Sequence, residues 1–364
     1  MGLRLEALDL SAVPWQELDA MADRTVFQTR EWLRFVQATQ KATPVVAALR
    51  DGSETVGYFT GLVVRKFGIK VLGSPFPGWT TSYMGFNLRQ GISRREAMAA
   101  LPAFAFGQLG CMHFEIMDRR CTTEDYRALG WEYRMIGTFE VDLTSDEKVI
   151  FHRMSQKSCR WSVGKAAKSG VVISEAPSEG FAEDFHAMLE DVFAKQGLVP
   201  TYDLERVRQL VRFLHPTGRL LLLRARDPEG HSIATGVFPS LNKTMTFWGG
   251  ASWRAYQKLQ PNEALIWHAM RYWKARGVEV FDMCGGGEYK RKYGGRRIVI
   301  PWARLSRFRI FSLARRAAAK AFWYRWKLLG YLRSDTGGKP AADNTSKGGC
   351  QEGESPEKAA GQGQ

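Results

Sequence analysis

No apolar run in the 364 residues approaches the roughly 18 residues that span a bilayer. The N-terminus lacks a basic segment followed by a clean apolar stretch, so we expect no signal peptide. Cysteine is scarce: five residues, an odd number, widely scattered and without a C-x-x-C pair, which excludes a disulfide framework. The cytoplasm is the expected compartment. The six histidines show neither H-x-H nor H-x-x-x-H spacing, so no structural zinc is expected. Walker A, G-x-G-x-x-G opening a helix, and G-x-S-x-G are all missing. Acids are also short, 37 against 52 Lys and Arg, which leaves a net charge of +15. Such an excess implies an anionic partner: nucleic acid, a phosphate-bearing substrate or an acidic membrane.

What is present is a folded chain. Its 45% hydrophobic and 12% aromatic content excludes a disordered polymer. A tail, 334–364, has no aromatic residue and is rich in Gly, Ser, Lys, Glu and Gln, so it is expected to be disordered. Before it, 311–333 interleaves Arg and Lys with Phe, Trp and Leu and has no acid. It reads as a basic amphipathic helix, suited to an anionic membrane surface or to packing on the protein by its aromatic side.

The body reads as a diverged duplication. Helical segments near 30–40 and 181–195 each precede a hairpin, 44–64 and 219–238, with glycine in the turns. Each half then gives a helix and a short strand, 113–118 and 278–283. The fold class is α+β, with two units, 1–145 and 146–310, each a mixed, mostly antiparallel sheet flanked by helices.

Three stretches can carry chemistry. Val278–Gly295 ends a strand at Asp282 and continues through Gly285–Gly287 into Tyr289-Lys290-Arg291-Lys292-Tyr293. Glycines let a backbone approach a ligand closely, and aromatic and basic residues beside them suit a phosphate group. A solvated basic hairpin is the competing reading. Phe151–Val172 is a basic stretch bearing Arg153, Lys157, Arg160, Lys165 and Lys168; it reads as a helix that Gly170-Val171-Val172 ends in the start of a strand, with a solvated basic face as the competing reading for most of its lysines. Thr244–Met270 gives an aromatic strand with Trp248, the pair Gly249-Gly250, and a helix opened by Pro261. Amides at such a helix start can hold an anion or a developing oxyanion.

In order, F-Q-T-R-E-W (27–32), R-W-S-V-G-K-A-A-K-S-G-V (160–171), L-Q-P-N-E-A-L-I-W (259–267), V-F-D-M-C-G-G (280–286) and Y-K-R-K-Y-G-G (289–295) resemble Fem-type acyltransferases of the GNAT superfamily. These include the peptidoglycan interpeptide-bridge aminoacyltransferases and relatives from polysaccharide gene clusters. The resemblance covers about 20–310 and implies tandem GNAT-like domains. It places Tyr289-Lys290 and Tyr293 on the family's aromatic-Lys motif, where the lysine serves donor and substrate phosphates. Arg160 becomes a second anion contact, and Trp248 an aromatic wall of the acceptor cleft. Two motifs depart. The family's G-F-x-x-R is replaced by Gly197–Thr201, without its arginine, and the GNAT pyrophosphate loop R/Q-x-x-G-x-G/A by Leu259–Ala264.

The expected activity is transfer of an aminoacyl or acyl group to an amine of a peptidoglycan or polysaccharide precursor, nucleotide- or lipid-linked. Lys290, Asp282 and Glu288 are the catalytic candidates, the two acids as proton acceptors. Asp282 competes with a purely structural role in fixing the glycine loop. Tyr289, Tyr293, Arg160, Trp248, Lys292, Gly249, Gly250 and Asn262 are the substrate-binding candidates. No resident cofactor or metal is expected. The donor is either aminoacyl-tRNA or acyl-CoA, with tRNA and an anionic inner membrane face, met through 312–333, as further partners. The alternatives are acyl-CoA-dependent N-acylation of an exopolysaccharide sugar, and a non-catalytic basic adaptor for RNA or membrane.

Overall fold

The computed structural model describes residues 2–66, 68–194, 200 and 202–310. The expected basic helix 311–333 and tail 334–364 lie outside them, as does most of the Gly197–Thr201 stretch.

The first half runs β1 (Arg4–Leu8), α1 (Trp15–Ala20), α2 (Arg30–Gln40), β2 (Thr43–Asp51), β3 (Glu54–Lys66), β4 (Ile69–Ser74), β5 (Gly85–Leu88), α3 (Arg94–Ala99), β6 (His113–Ile116), α4 (Thr123–Ala128) and β7 (Glu132–Asp142). The second runs α5 (Glu147–Arg153), α6 (Trp161–Lys168), β8 (Val172–Glu175), α7 (Phe181–Ala194), α8 (Leu204–Leu214), β9 (Leu220–Arg226), β10 (Ser232–Leu241), β11 (Thr244–Thr246), β12 (Gly249–Ser252), α9 (Pro261–Lys274), β13 (Val280–Asp282) and β14 (Arg296–Ser306). Both expected hairpins form, and Pro261 opens α9, where its missing N–H costs nothing.

All these strands join one mixed sheet, ordered β1-β2-β3-β4-β6-β14-β7-β13-β11-β10-β9-β8, with β5 on β3 and β12 on β10. The expected division at 145/146 falls between β7 and α5. The last strand, β14, nevertheless returns to lie between β6 and β7, and β7 pairs on its other side with β13. The halves therefore share their central strands.

Alternation along the strands sends side chains to two faces. One face packs on α1, α2, α7 and α8 in a core that crosses both halves, with Trp32, Phe35, Phe185, Leu210 and Trp302 in it. The other face carries two separate cores. One lies under α3 and α4 around Phe59, Phe104 and Tyr126, the other under α5 and α9 around Phe139, Phe238 and Phe281. Local sequence sets the helix starts. Thr29 accepts from the Trp32 amide and Asp203 from the Arg206 amide, each satisfying an orphan donor of the first turn.

The basic segment 151–172 is not one helix. It breaks at Met154 and Ser155 and resumes as a wide turn, 156–160, leading into α6. Met154 is drawn into the core, and the Ser155 amide donates to Lys292 O at 2.8 Å, which costs the helix its continuity.

Candidate functional site

The site begins where two parallel strands part. β11 and β13 pair from Thr244–Val280 to Thr246–Asp282, and the Phe247 amide still donates to Asp282 O at 2.9 Å. Beyond that point Trp248 N turns to Val237 O at 3.1 Å, while Met283 N turns to Phe139 O at 2.9 Å. One strand follows β10 and the other follows β7, so a wedge opens between Gly249 and Cys284. Ligands in open sheets commonly bind at such carboxyl-end divergences.

The walls of the wedge differ. On the β12 side, the register pairs Val237 with Gly249 and Thr235 with Ala251, and Trp253 N donates to Ile233 O. Alternation then turns the Gly250 amide away from β10, toward the opening, whereas the Gly249 amide faces β10. Trp248 is buried against Tyr202 and Phe185, with ring centroids 4.6 and 6.2 Å away. A side chain at Gly249 would meet Tyr202 Oη at 2.7 Å.

The opposite wall is the glycine loop. Cys284 and Gly285 both have positive φ, 47° and 81°. A Cβ at Gly287 would strike the Tyr289 ring at 2.7 Å, so glycine lets that ring lie over the loop. Lys290 points back into the loop rather than outward. Its ammonium donates to the carbonyls of Met283 (2.9 Å), Cys284 and Gly285 (3.3 Å). It is buried, and burial lowers its pKa from the usual lysine range.

Asp282 lies at the sheet's centre, 1% exposed. Its Oδ1 accepts from Thr138 Oγ1 and from the Cys284 amide, both at 2.8 Å, which ties the glycine loop to β7. Its Oδ2 is buried without a geometric hydrogen-bond partner, and the residue lines a small cavity of about 10 Å³ with Thr25, Tyr83, Arg119, Thr244 and Thr246. That space holds about one water. The carboxylate therefore fixes the loop with one oxygen, while the Tyr83 side chain interacts with the same carboxylate.

Around it stand groups that sequence reasoning missed, all from the first half. Glu140 is the cross-strand partner of Asp282 and pairs with Arg119. Burial, and secondarily Asp282, raise the Glu140 pKa against the opposing pull of Arg119. Tyr83 faces Asp282; burial first and the carboxylate second suppress its ionisation. Ser82 Oγ lies 3.0 Å from Cys284 Sγ. Burial pushes that thiol far above its ordinary range, so it is no nucleophile at neutral pH. One signal was available: Thr138-Phe-Glu-Val-Asp142 alternates polar and apolar, which puts Thr138 and Glu140 on one face.

The remaining candidates scatter. Glu288 sits in an exposed pair with Arg291 at 3.0 Å. Tyr293 is buried in the core beneath α9. Lys292 pairs at 2.6 Å with Glu263, in the first turn of α9. Asn262 donates to Ser252 Oγ at 3.1 Å, bracing that turn against β12. Arg160, at the end of the wide turn before α6, has its Nε buried without a partner. A shallow depression of about 370 Å³, lined by Asp191, Trp253, Arg254 and Tyr256, adjoins the end of β12. Among the described residues, one trio has metal-ligand spacing: Asp227, Glu229 and His231, in the β9–β10 turn. There Asp227 already accepts from the His231 backbone and contacts its ring, closing the turn.

Residues 156–292, which carry the wedge and both its walls, match the family model of the acetyltransferase (GNAT) domain. This segment is an acyltransferase domain of the GNAT type. No curated protein matches this acyltransferase in sequence. Among solved structures it is similar to FemX, with a TM-score of 0.67 at 14% identity over 81% of this chain and 96% of that one. It is also similar to a tandem GNAT protein from the clavulanic acid biosynthesis pathway (TM-score 0.52, 13% identity, 84% and 98% covered). A conserved protein of unknown function from Bacteroides thetaiotaomicron VPI-5482 gives 0.57 at 9% identity, covering 83% and 99%. At these identities the likeness is one of fold: tandem GNAT-like units, as expected.

Proposed function

We propose that the acyltransferase moves an aminoacyl group from an ester-linked donor onto an amine of a cell-envelope precursor. The observation that carries this is the parting of β11 and β13, which leaves the Gly250 amide facing the wedge. A carbonyl lodged there receives a fixed donor as the amine attacks and an oxyanion develops. Holding both reactants in the wedge lowers the barrier further. Trp248 and Tyr202 form the apolar wall, and Lys290 holds the glycine loop in shape. Asp282 takes the proton from the attacking amine through the space beside Oδ2.

The start of α9 supports an ester donor over acyl-CoA. Pro261 offers no N–H, and Glu263 already fills the first turn with negative charge, neutralised by Lys292. A pyrophosphate at that helix start would meet a carboxylate and one missing donor. The envelope acceptor rests on the Fem-type resemblance of the five motifs.

The test follows product formation with aminoacyl-tRNA and, separately, acyl-CoAs, using wild type and Asp282→Asn. Release of deacylated tRNA coupled to amide formation supports the proposal. Release of free CoA thiol with no tRNA reaction would move the enzyme to acyl-CoA-dependent sugar N-acylation. Asparagine keeps the bonds to Thr138 and Cys284. A loss of at least about 100-fold with unchanged thermal stability therefore marks Asp282 as the proton acceptor. Retained activity reduces it to a loop anchor.

A further inference from the structure

From Lys148 to Ser174 the chain has no acid. Within this stretch, the wide turn and α6 bury Cys159, Ser162 and Ala166 and turn the other side outward. Ser162 Oγ donates to Gln260 Oε1 at 3.0 Å, which fixes the helix against the residue before α9. The outward side carries Lys157, Trp161, Lys165 and Lys168, spaced four, four and three residues apart, all exposed. Among the described residues, none of these lysines makes an ion pair or side-chain hydrogen bond with another described residue. Trp161 is 57% exposed, the one tryptophan among the exposed large hydrophobics of the described residues. The adjoining segments expose Val149 (44%) and Val172 (62%).

An indole left in water at the crest of a lysine ridge is costly unless something covers it. We propose that this ridge docks the acyltransferase on an anionic phospholipid bilayer, with Trp161 at headgroup depth and Lys157, Lys165 and Lys168 against lipid phosphates. Indole rings favour that interfacial depth. Lysines can lay their stems along the apolar boundary while their ammonium groups stay with the headgroups. The negative leaflet potential then adds attraction for each cation. The shape favours a bilayer over nucleic acid. The ridge runs along the outward side of the wide turn and α6, whereas single-stranded nucleic acid is usually tracked along a charged groove. The ridge residues belong to a different part of the sequence from 311–333, and docking through them does not depend on the identity of the acyl donor.

The test is flotation of the full chain with phosphatidylcholine vesicles, with and without phosphatidylglycerol, at about 0.15 M salt. The variants are Lys157→Glu/Lys165→Glu, the milder Lys157→Gln/Lys165→Gln, and Trp161→Ala. All alter exposed side chains, and thermal melts confirm that each is folded. Wild type is expected to bind only the anionic vesicles. The Glu pair should weaken binding at least about tenfold, because each cation near such a surface is worth roughly fivefold. The Gln pair should fall between, and Trp161→Ala should weaken binding several-fold. Unchanged binding in the ridge variants overturns the proposal, and so does binding lost only in a further variant, Lys320→Glu/Arg325→Glu. Wild type that ignores anionic vesicles but holds RNA, and releases it on ridge reversal, overturns it in favour of a nucleic-acid face.

Discussion

Replacing Lys290 by methionine separates a structural lysine from a ligand-binding one. The ammonium donates to three backbone carbonyls of the glycine loop. Methionine fills the same stem volume but donates nothing. Gly285 is exposed, so water can replace its bond, but Met283 is buried and Cys284 half-buried. Two carbonyls are then left short, at about 1–3 kcal/mol each. Relief of a desolvated ammonium offsets part of this, roughly 1 kcal/mol, leaving about 1–5 kcal/mol. Unfolding entropy of about 2.1 cal/mol/K per residue over roughly 300 ordered residues gives ~0.6 kcal/mol per degree. The melting temperature should therefore fall by about 2–8 °C, read by calorimetry without ligand. Lysine used only to bind phosphate predicts the opposite pattern: an unchanged melt and a raised KM. An unshifted melting temperature for Lys290→Met would refute the clamp.

Gly249→Ala should destabilise by about 1–3 kcal/mol, because its methyl meets Tyr202 Oη and the Phe185 ring. Adding Tyr202→Phe should restore part of that, and strict additivity in the double-mutant cycle would disprove the clash. Cys284→Ala should keep activity within about threefold, because its thiol is held protonated; a loss beyond about 100-fold would reveal thiolate chemistry. Glu140 has a raised pKa from burial, so the stability it contributes is present below the ordinary value of 4.5 and is lost as pH rises through the raised one. Wild type should thus lose stability relative to Glu140→Gln as pH climbs from 4.5, and parallel melting curves across that range would contradict the assignment.

Much of the fold was legible because its signals are local. Both hairpins announce themselves by alternation and turn glycines, and α9 by its opening proline. The Asp282–Gly287 turn was legible for the same reason: a buried strand that runs into consecutive glycines must end in a special backbone. What was not legible depends on register. Nothing near Glu140 in sequence says that it faces Asp282, because that follows only once β7 and β13 pair. Nor does the sequence reveal that β14 returns between β6 and β7. Lys290 misleads for a related reason. A lysine in a basic run suggests an outward anion contact, yet the left-handed residues at Cys284 and Gly285 turn carbonyls toward its ammonium. The helix expected from 151 to Gly170 is interrupted because a tertiary bond, Ser155 to Lys292 O, outweighed helical propensity, whereas its expected end and the strand after it do form.

The same register explains why the matched domain needs the first half. Asp282 and Cys284 belong to the second half, but Thr138, Glu140, Ser82, Tyr83 and Arg119 all come from the first. Without them a carboxylate at the centre of the sheet would lose one of its two hydrogen-bond donors and the Arg119 cation that lines the same cavity. A buried charge stripped of such partners costs several kcal/mol. Met283 would also lose the Phe139 carbonyl that draws its strand away from β12. That bond is one side of the wedge. The first half therefore does more than cover a surface: by pairing β7 with β13 it holds open the gap toward which the Gly250 amide points.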